Sequence, residues 1–190
     1  NLGYRADSIV QLDWCVGELM KTLDRLDIAE NTLVVFCSDN GPVMDDGYAD
    51  QALERVGSHR AAGPYTGGKY SVAEGGTRTP FITRWKGRIK PGVSEALVST
   101  IDLAGSLAAF TGVPLDENAC LDSIDVMDAL LGKSAKGRDD LVQQDNGQAG
   151  NYGLRAGKWK LQRHDSKSAR NLVVETDLAN TKVPQYQLFD

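Results

Sequence analysis

NTLVVFCSDNG, residues Asn31 to Gly41, is a run of apolar β-formers that stops at Ser38-Asp39-Asn40-Gly41. Leu33 to Cys37 is continuously apolar, the pattern of a strand covered on both faces of a parallel sheet, with Cys37 as a small core residue. Asp, Asn and Gly are also ordinary turn residues, so the ending has two readings. It is either a plain turn or a strand end presenting oxygen ligands beyond its carboxyl edge, where open α/β sheets bind their ligands. A carboxylate followed by an amide oxygen suits a hard cation such as Ca2+ or Mg2+. Two ligands are too few for either ion, so the rest of such a shell has to come from elsewhere.

On the N-terminal side of this strand, Ile9, Leu12, Val16, Leu19, Met20, Leu23 and Leu26 recur at helical spacing between charged residues. The spacing predicts an amphipathic helix over about residues 5 to 26 whose apolar stripe is core. On the C-terminal side, Pro80 to Trp85 reads as a second strand, with its proline suited to the first position. Ile101 to Phe110 reads as a helix capped by Asp102 or Thr100 and closed by Gly112, and Asp125 to Leu131 as a shorter one ending at Gly132. After Gly137 the helical period disappears. Short strand-like runs follow at Leu141–Gln144, Tyr152–Arg155, Lys158–Leu161, Leu172–Val174 and Tyr186–Phe189, with Ala156-Gly157 as a tight turn. The fold class is therefore α/β, part of a mostly parallel sheet flanked by helices over residues 1–137. A small antiparallel β subdomain follows over residues 138–190.

The bulk composition is that of a water-exposed globular chain: 190 residues, 41% hydrophobic, 25% charged, net charge −5. A mildly acidic chain without a basic cluster argues against nucleic acid as the main partner. No apolar run approaches the ~20 residues needed to span a bilayer. Asn1 leads straight into the helical pattern with no signal peptide, so the expectation is that the numbering begins inside a longer polypeptide. Cys15, Cys37 and Cys120 have no metal-type spacing, and an odd count leaves at least one unpaired within the chain.

Between the first two strands lies a long polar, glycine-rich segment, residues 42 to 78, and connections of that length are more often functional than idle. It contains Gly67-Gly68-Lys69 and leads through Glu74-Gly75-Gly76-Thr77-Arg78 into Thr79-Pro80. The glycines let the backbone approach a small ligand, and Lys69 can hold an oxyanion as a point charge. This is not the phosphate-cradling loop, which needs Gly-Lys followed by Ser or Thr. The bland reading is a flexible loop with one solvated lysine. His59 lies ten residues earlier, and its alternatives are a substrate contact or a surface loop histidine. His164 reads as surface. Asp45-Asp46 reads as a solvated pair, since nothing in the sequence supplies the burial that would split their pKa values.

In this order the two stretches resemble the sulfatase family, sulfuric-ester hydrolases of the alkaline-phosphatase-like superfamily. The resemblance is carried by Tyr4-Arg5-Ala6, Leu12 to Gly17, Asn31 to Phe36 and Ser38-Asp39-Asn40-Gly41. It continues through Gly68-Lys69, Glu74 to Ile82, Trp85-Lys86-Gly87, Ser99 to Leu103 and the hairpin Leu154 to Leu161. It implies that Asp39 and Asn40 are ligands of a divalent cation, Ca2+ rather than Mg2+, which polarises sulfate oxygens. It places Lys69 at the substrate as a catalytic and substrate-binding residue, stabilising charge and protonating the leaving oxygen. Glu74 and Arg78 fall to holding the loop as an ion pair, and His59 to contacting the organic part of the substrate. The implied partners are a sulfated small molecule or sulfated sugar and the remainder of the chain's own polypeptide. The implied compartment is periplasmic, secreted or lysosomal.

The family's nucleophile is a formylglycine made from the first residue of Cys-x-Pro-x-Arg or Ser-x-Pro-x-Arg, and neither motif occurs in these 190 residues. The expectation is a C-terminal portion of a sulfatase, inactive as an isolated chain, with its formylglycine and remaining metal ligands upstream. Two alternatives stand beside it. One is a phosphonate or phosphodiester hydrolase of the same superfamily, and the other a non-catalytic binding module derived from a sulfatase.

Overall fold

The structure, a computed structural model, describes residues 3–45, 47–145, 150–164 and 183–190. Helix α1 (Tyr4–Arg25) carries Asp7 in its first turn and Arg25 in its last, each complementing the helix dipole. A left-handed Asp27 (φ 57°) turns the chain out of the helix. The apolar stripe that sequence assigns to the core is not buried. No residue of α1 is buried, and Ile9, Leu12, Trp14 and Leu19 are each about half exposed or more. The reason is that the described residues offer α1 few partners: Arg84, which donates to Met20 Sδ at 3.5 Å, and Lys86, which pairs with Asp24 at 2.7 Å.

Strand β1 (Val34–Cys37) pairs with β2 (Phe81–Arg84) in antiparallel register, Val34 opposite Arg84 and Cys37 opposite Phe81. The mostly parallel sheet expected from the apolar run is not formed among the described residues. Nor is β1 covered on both faces: its first three residues are half-buried and Cys37 is exposed, so Cys37 is not a core residue. Cys15 and Cys120 are likewise exposed, free thiols.

The core lies against β2 and is built from Trp85, Val126, Met127, Ala129, Leu130 and Leu131, with Leu33, Phe81 and Leu103 packed on it. Polar groups entering this region are satisfied, as burial demands. Trp85 Nε1 donates to Glu30 O at 2.8 Å, and Thr83 Oγ1 donates to Leu130 O at 2.7 Å. Helix α4 (Asp102–Thr111) ends at a left-handed Gly112 and α5 (Met127–Leu130) at a left-handed Gly132, as the sequence predicts. The predicted cap of α4 is different. Asp102, fully buried, accepts from Ser99 N at 2.9 Å and Ile124 N at 3.2 Å and forms an ion pair with Arg138. It ties three segments together rather than capping the helix end. Two one-turn helices, α2 (Ala52–Arg55) and α3 (Glu74–Thr77), lie in the long connection between β1 and β2.

The C-terminal residues form an antiparallel sheet of β3 (Asp140–Gln144), β4 (Tyr152–Ala156), β5 (Trp159–Arg163) and β6 (Tyr186–Phe189), in that order. The β4–β5 hairpin turns on Gly157 (φ 55°) and Lys158, one residue later than sequence suggested. The predicted strand Leu172–Val174 lies outside the described residues, as does Asp46. Register puts Val142, Leu154, Leu161 and Leu188 in one row across the sheet. Alternate residues Leu141, Gln143, Gly153, Arg155, Lys160 and Gln162 take the other face. The polar face is the covered one: Gly153, Lys160 and Gln162 are buried while Val142 and Leu188 are 65% and 62% exposed.

Candidate active site

The end of β1 is stitched to the lysine loop by backbone alone. Gly41 N donates to Gly76 O at 2.9 Å, Lys69 N to Pro42 O at 2.9 Å and Gly75 N to Thr66 O at 2.8 Å. The contact is so close that a side chain has no room. A Cβ on Gly41 would lie 1.8 Å from Gly75 O, and one on Gly76 would lie 2.3 Å from both Gly68 O and Ser71 O. These glycines are required by approach of backbone to backbone rather than by flexibility. The loop turns at Gly67 (φ 80°) and again at Tyr70 (φ 81°), where a bulky side chain sits in the left-handed region. Strain of this kind persists only where surrounding structure imposes it, and it concentrates at functional sites.

Asp39 is exposed at this junction, and no hydrogen bond or ion pair to its carboxylate occurs among the described residues. Asn40 uses its amide Nδ2 to donate to Gly41 O at 2.8 Å, which orients the side chain and leaves Oδ1 as an acceptor. The donor set at the strand end is thus a carboxylate and an amide oxygen, which fits a hard divalent cation. The described residues contain no group of three or more His, Cys, Asp or Glu that could complete a shell. Lys69 is half-buried. Its Nζ lies 5.3 Å from the centre of the Tyr70 ring and has no anionic partner among the described residues. A lysine held beside an aromatic face, without a carboxylate, is available to an anion from outside the chain.

Below the loop, α3 is pinned from the C-terminal sheet by residues that the sequence reading did not single out. Lys160, 2% exposed, places Nζ 3.3 Å from Glu74 Oε1 and 3.2 Å from Thr77 Oγ1, and also bonds Gln143 Oε1. Glu74 Oε2 pairs with Arg155 at 3.4 Å and with Arg78 at 3.7 Å, so the expected Glu74–Arg78 pair is one arm of a larger network. Burial pushes the Lys160 ammonium below the ordinary lysine pKa, with the Glu74 carboxylate pulling it back up. Gly153 makes room for this side chain: a Cβ there would lie 2.9 Å from Lys160 Cε and 3.3 Å from Val72 O. The one signal in sequence is Lys160's alternation with Leu161 along β5, which does not say that the polar side is the buried one.

Neither histidine is hydrogen-bonded to Asp39, Asn40 or Lys69 among the described residues. His59 sits exposed on a turn after α2, its N–H bonded to Val56 O at 3.1 Å, and its ring makes no polar contact among the described residues. Asp45 Oδ1 accepts from Gly47 N at 3.3 Å in a local turn. His164 is half-buried rather than on the open surface, with Nε2 3.0 Å from Gln187 Oε1.

The chain is 46% identical over 184 residues to the N-acetylgalactosamine-6-O-sulfatase of Bacteroides thetaiotaomicron, covering 97% of this chain and 36% of that protein. It is 36% identical over 157 residues to human arylsulfatase A, covering 81% of this chain and 29% of that one. A solved structure described for metabolism of multiple glycosaminoglycans by B. thetaiotaomicron superimposes with a TM-score of 0.88 at 45% identity. That match covers all of this chain and 38% of the solved one. A second, solved with D-glucosamine-2-N,6-O-disulfate, shares the fold at a TM-score of 0.65 and 20% identity. The chain thus spans about a third of the length of these relatives. The Sulfatase family model matches residues 1–113, through the strand end and the lysine loop, and the chain belongs to the sulfatase family.

Proposed function

We propose that the chain is the C-terminal portion of a hydrolase that cleaves 6-O-sulfate esters of amino sugars. The observation that carries this reading is the junction of the β1 end with the Lys69 loop, where neither the Asp39 carboxylate nor the Lys69 ammonium has a hydrogen-bond or ion-pair partner among the described residues. The amino-sugar 6-sulfate is suggested by the 46%-identical relative, whose name gives that activity. In this reading Asp39 and Asn40 hold part of the shell of a Ca2+ ion, with the other ligands and a formylglycine nucleophile supplied by sequence outside these residues. The bound ion supplies charge neutralisation at the sulfate oxygens. Lys69 carries its ammonium to the sulfate or its leaving oxygen, where it stabilises developing negative charge and donates a proton. His59 contacts the organic part of the substrate. The parallel strands expected from sequence, the boundary at 137/138 and an exported location belong to the same proposal. No helix among the described residues is long and apolar enough to cross a membrane.

The complete polypeptide should release sulfate from N-acetylgalactosamine 6-sulfate with saturation, lose that activity on chelation and regain it with Ca2+. Lys69→Ala should lower kcat/KM by about 100- to 1000-fold while leaving the melting temperature unchanged. Faster turnover of the 6-phosphate ester would overturn the assignment. The 190-residue chain alone, lacking a Cys/Ser-x-Pro-x-Arg segment, should show no turnover with Ca2+ present.

A further inference from the structure

Glu74 to Thr77 form a single turn between three partners. Toward β1, Gly76 O accepts from Gly41 N. Toward the lysine loop, Gly75 N donates to Thr66 O, and the Gly75 and Gly76 Cα positions press against the carbonyls of Gly67, Gly68 and Ser71. Toward the C-terminal sheet, Glu74 and Thr77 both meet Lys160 Nζ. A four-residue helix has too few internal hydrogen bonds to hold itself, so its position is set by these contacts.

Lys160 is fixed at its own end. Its stem lies beneath Gly153, whose Cα position also faces the Val72 carbonyl, and Gln143 of β3 accepts from the same ammonium. A buried lysine with three oxygen partners satisfies its three N–H donors and has one geometry available. Val72 is itself only three residues beyond Lys69 and is 3% exposed.

We propose that Lys160 is a positioning residue: reaching out of the C-terminal sheet, it fixes the Glu74–Thr77 turn and, through the glycine contacts, sets where Lys69 and the end of β1 stand relative to each other. This rests on the proposed sulfate-ester hydrolysis for its functional consequence, though not for the positioning itself. The C-terminal sheet then serves the reaction without touching substrate.

The test uses the complete polypeptide with Lys160→Met, and with Thr77→Val as a milder variant that removes one oxygen partner without changing side-chain shape. Amide hydrogen exchange is followed at Lys69, Ser71 and Gly75, whose N–H groups donate within this junction, and at β1–β2 and β4–β5 for comparison. Lys160→Met should speed exchange at the three junction amides about tenfold while the strand amides keep their rates. In the same protein kcat should fall by about 10- to 100-fold, the scale expected for small misplacement of a reacting group, with KM changing less. Thr77→Val should give the same pattern at smaller amplitude. Unchanged junction exchange, or a uniform rise across all the strands, would overturn the positioning role. If the wild-type protein releases no sulfate, the functional reading fails on its own, and the exchange pattern still decides for or against Lys160.

Discussion

The turn Glu74–Thr77 is held on its two sides by opposite means. Toward β1 and Lys69 it is held by glycine backbones in contact, with no side chain between them. Toward the C-terminal sheet it is held by long charged side chains, Lys160 and Arg155, converging on Glu74. Backbone contact is rigid and intolerant of any added atom, because neither surface has a rotamer to yield. A buried ionic contact tolerates small shifts but requires complete pairing, since desolvating each charge costs several kcal/mol. The two sides should therefore fail differently. The first fails sterically whatever the chemistry of the substitution, and the second fails electrostatically whatever its size.

The largest effect is expected from Gly41→Ala. The added Cβ meets the Gly75 carbonyl, which can move only with the whole turn, so the cost should be about 3 kcal/mol with loss of sulfate release. Denaturant unfolding measures this, and a near-neutral result would mean the glycine contact is not rigid. Gly153→Ala is the matching probe on the other side. Its Cβ meets a lysine stem first, at 2.9 Å, and approaches backbone only to 3.3 Å at the Val72 carbonyl, so about 1–2 kcal/mol is expected. If it costs as much as Gly41→Ala, Lys160 is as unyielding as backbone and the contrast collapses.

The ionic side also makes a pH prediction. The folded pKa of Lys160 is lowered from 10.5, chiefly by burial, so between the folded value and 10.5 the unfolded chain binds the extra proton. Stability should then rise with pH through that alkaline window and level off above it. Lys160→Met should lack this rise in a series of melts, and a wild type that loses stability more steeply than the variant there would contradict it. The smallest effect is expected at an exposed ion pair away from the turn, Lys86 with Asp24, both about half exposed. The Lys86 hydrogen bond holds Asp24 below its usual carboxylate range, so any contribution is present above pH 3.8 and fades as pH falls below it. Lys86→Ala should leave the melting temperature at neutral pH unmoved.

Element types were legible from the sequence because they depend on local period and punctuation. The apolar run before Ser38, the α1 stripe, Gly112, Gly132 and the hairpin glycine all declare themselves within a few residues. Which surface of an element is covered is set by distant partners, and there the reading failed. The stripe of α1 and Cys37 read as core in the sequence, and the described residues provide no such core. In the C-terminal sheet, alternation sorted residues into two faces but could not say which face is inside. Asp39, Asn40 and Lys69 could be named from short stretches. Their junction through Gly41, Pro42 and Gly76 could not, because a backbone contact leaves no side-chain signature beyond the glycine itself. Lys160 was illegible for a related reason, since a lysine beside a tryptophan in a hairpin reads as solvated.

Val142 and Leu188, exposed at the two ends of the row that also holds the half-buried Leu154 and Leu161, have a consequence for handling the protein. A sheet that hides its polar side and shows its apolar side offers a sticky surface to any similar molecule in solution. Purified by itself, this chain should grow heavier as it is concentrated, and added salt of the sulfate type should hasten the change. Placing threonine at Val142 and lysine at Leu188, both already well exposed, would make the piece easier to keep in solution while leaving Lys160 and its partners on the opposite side untouched.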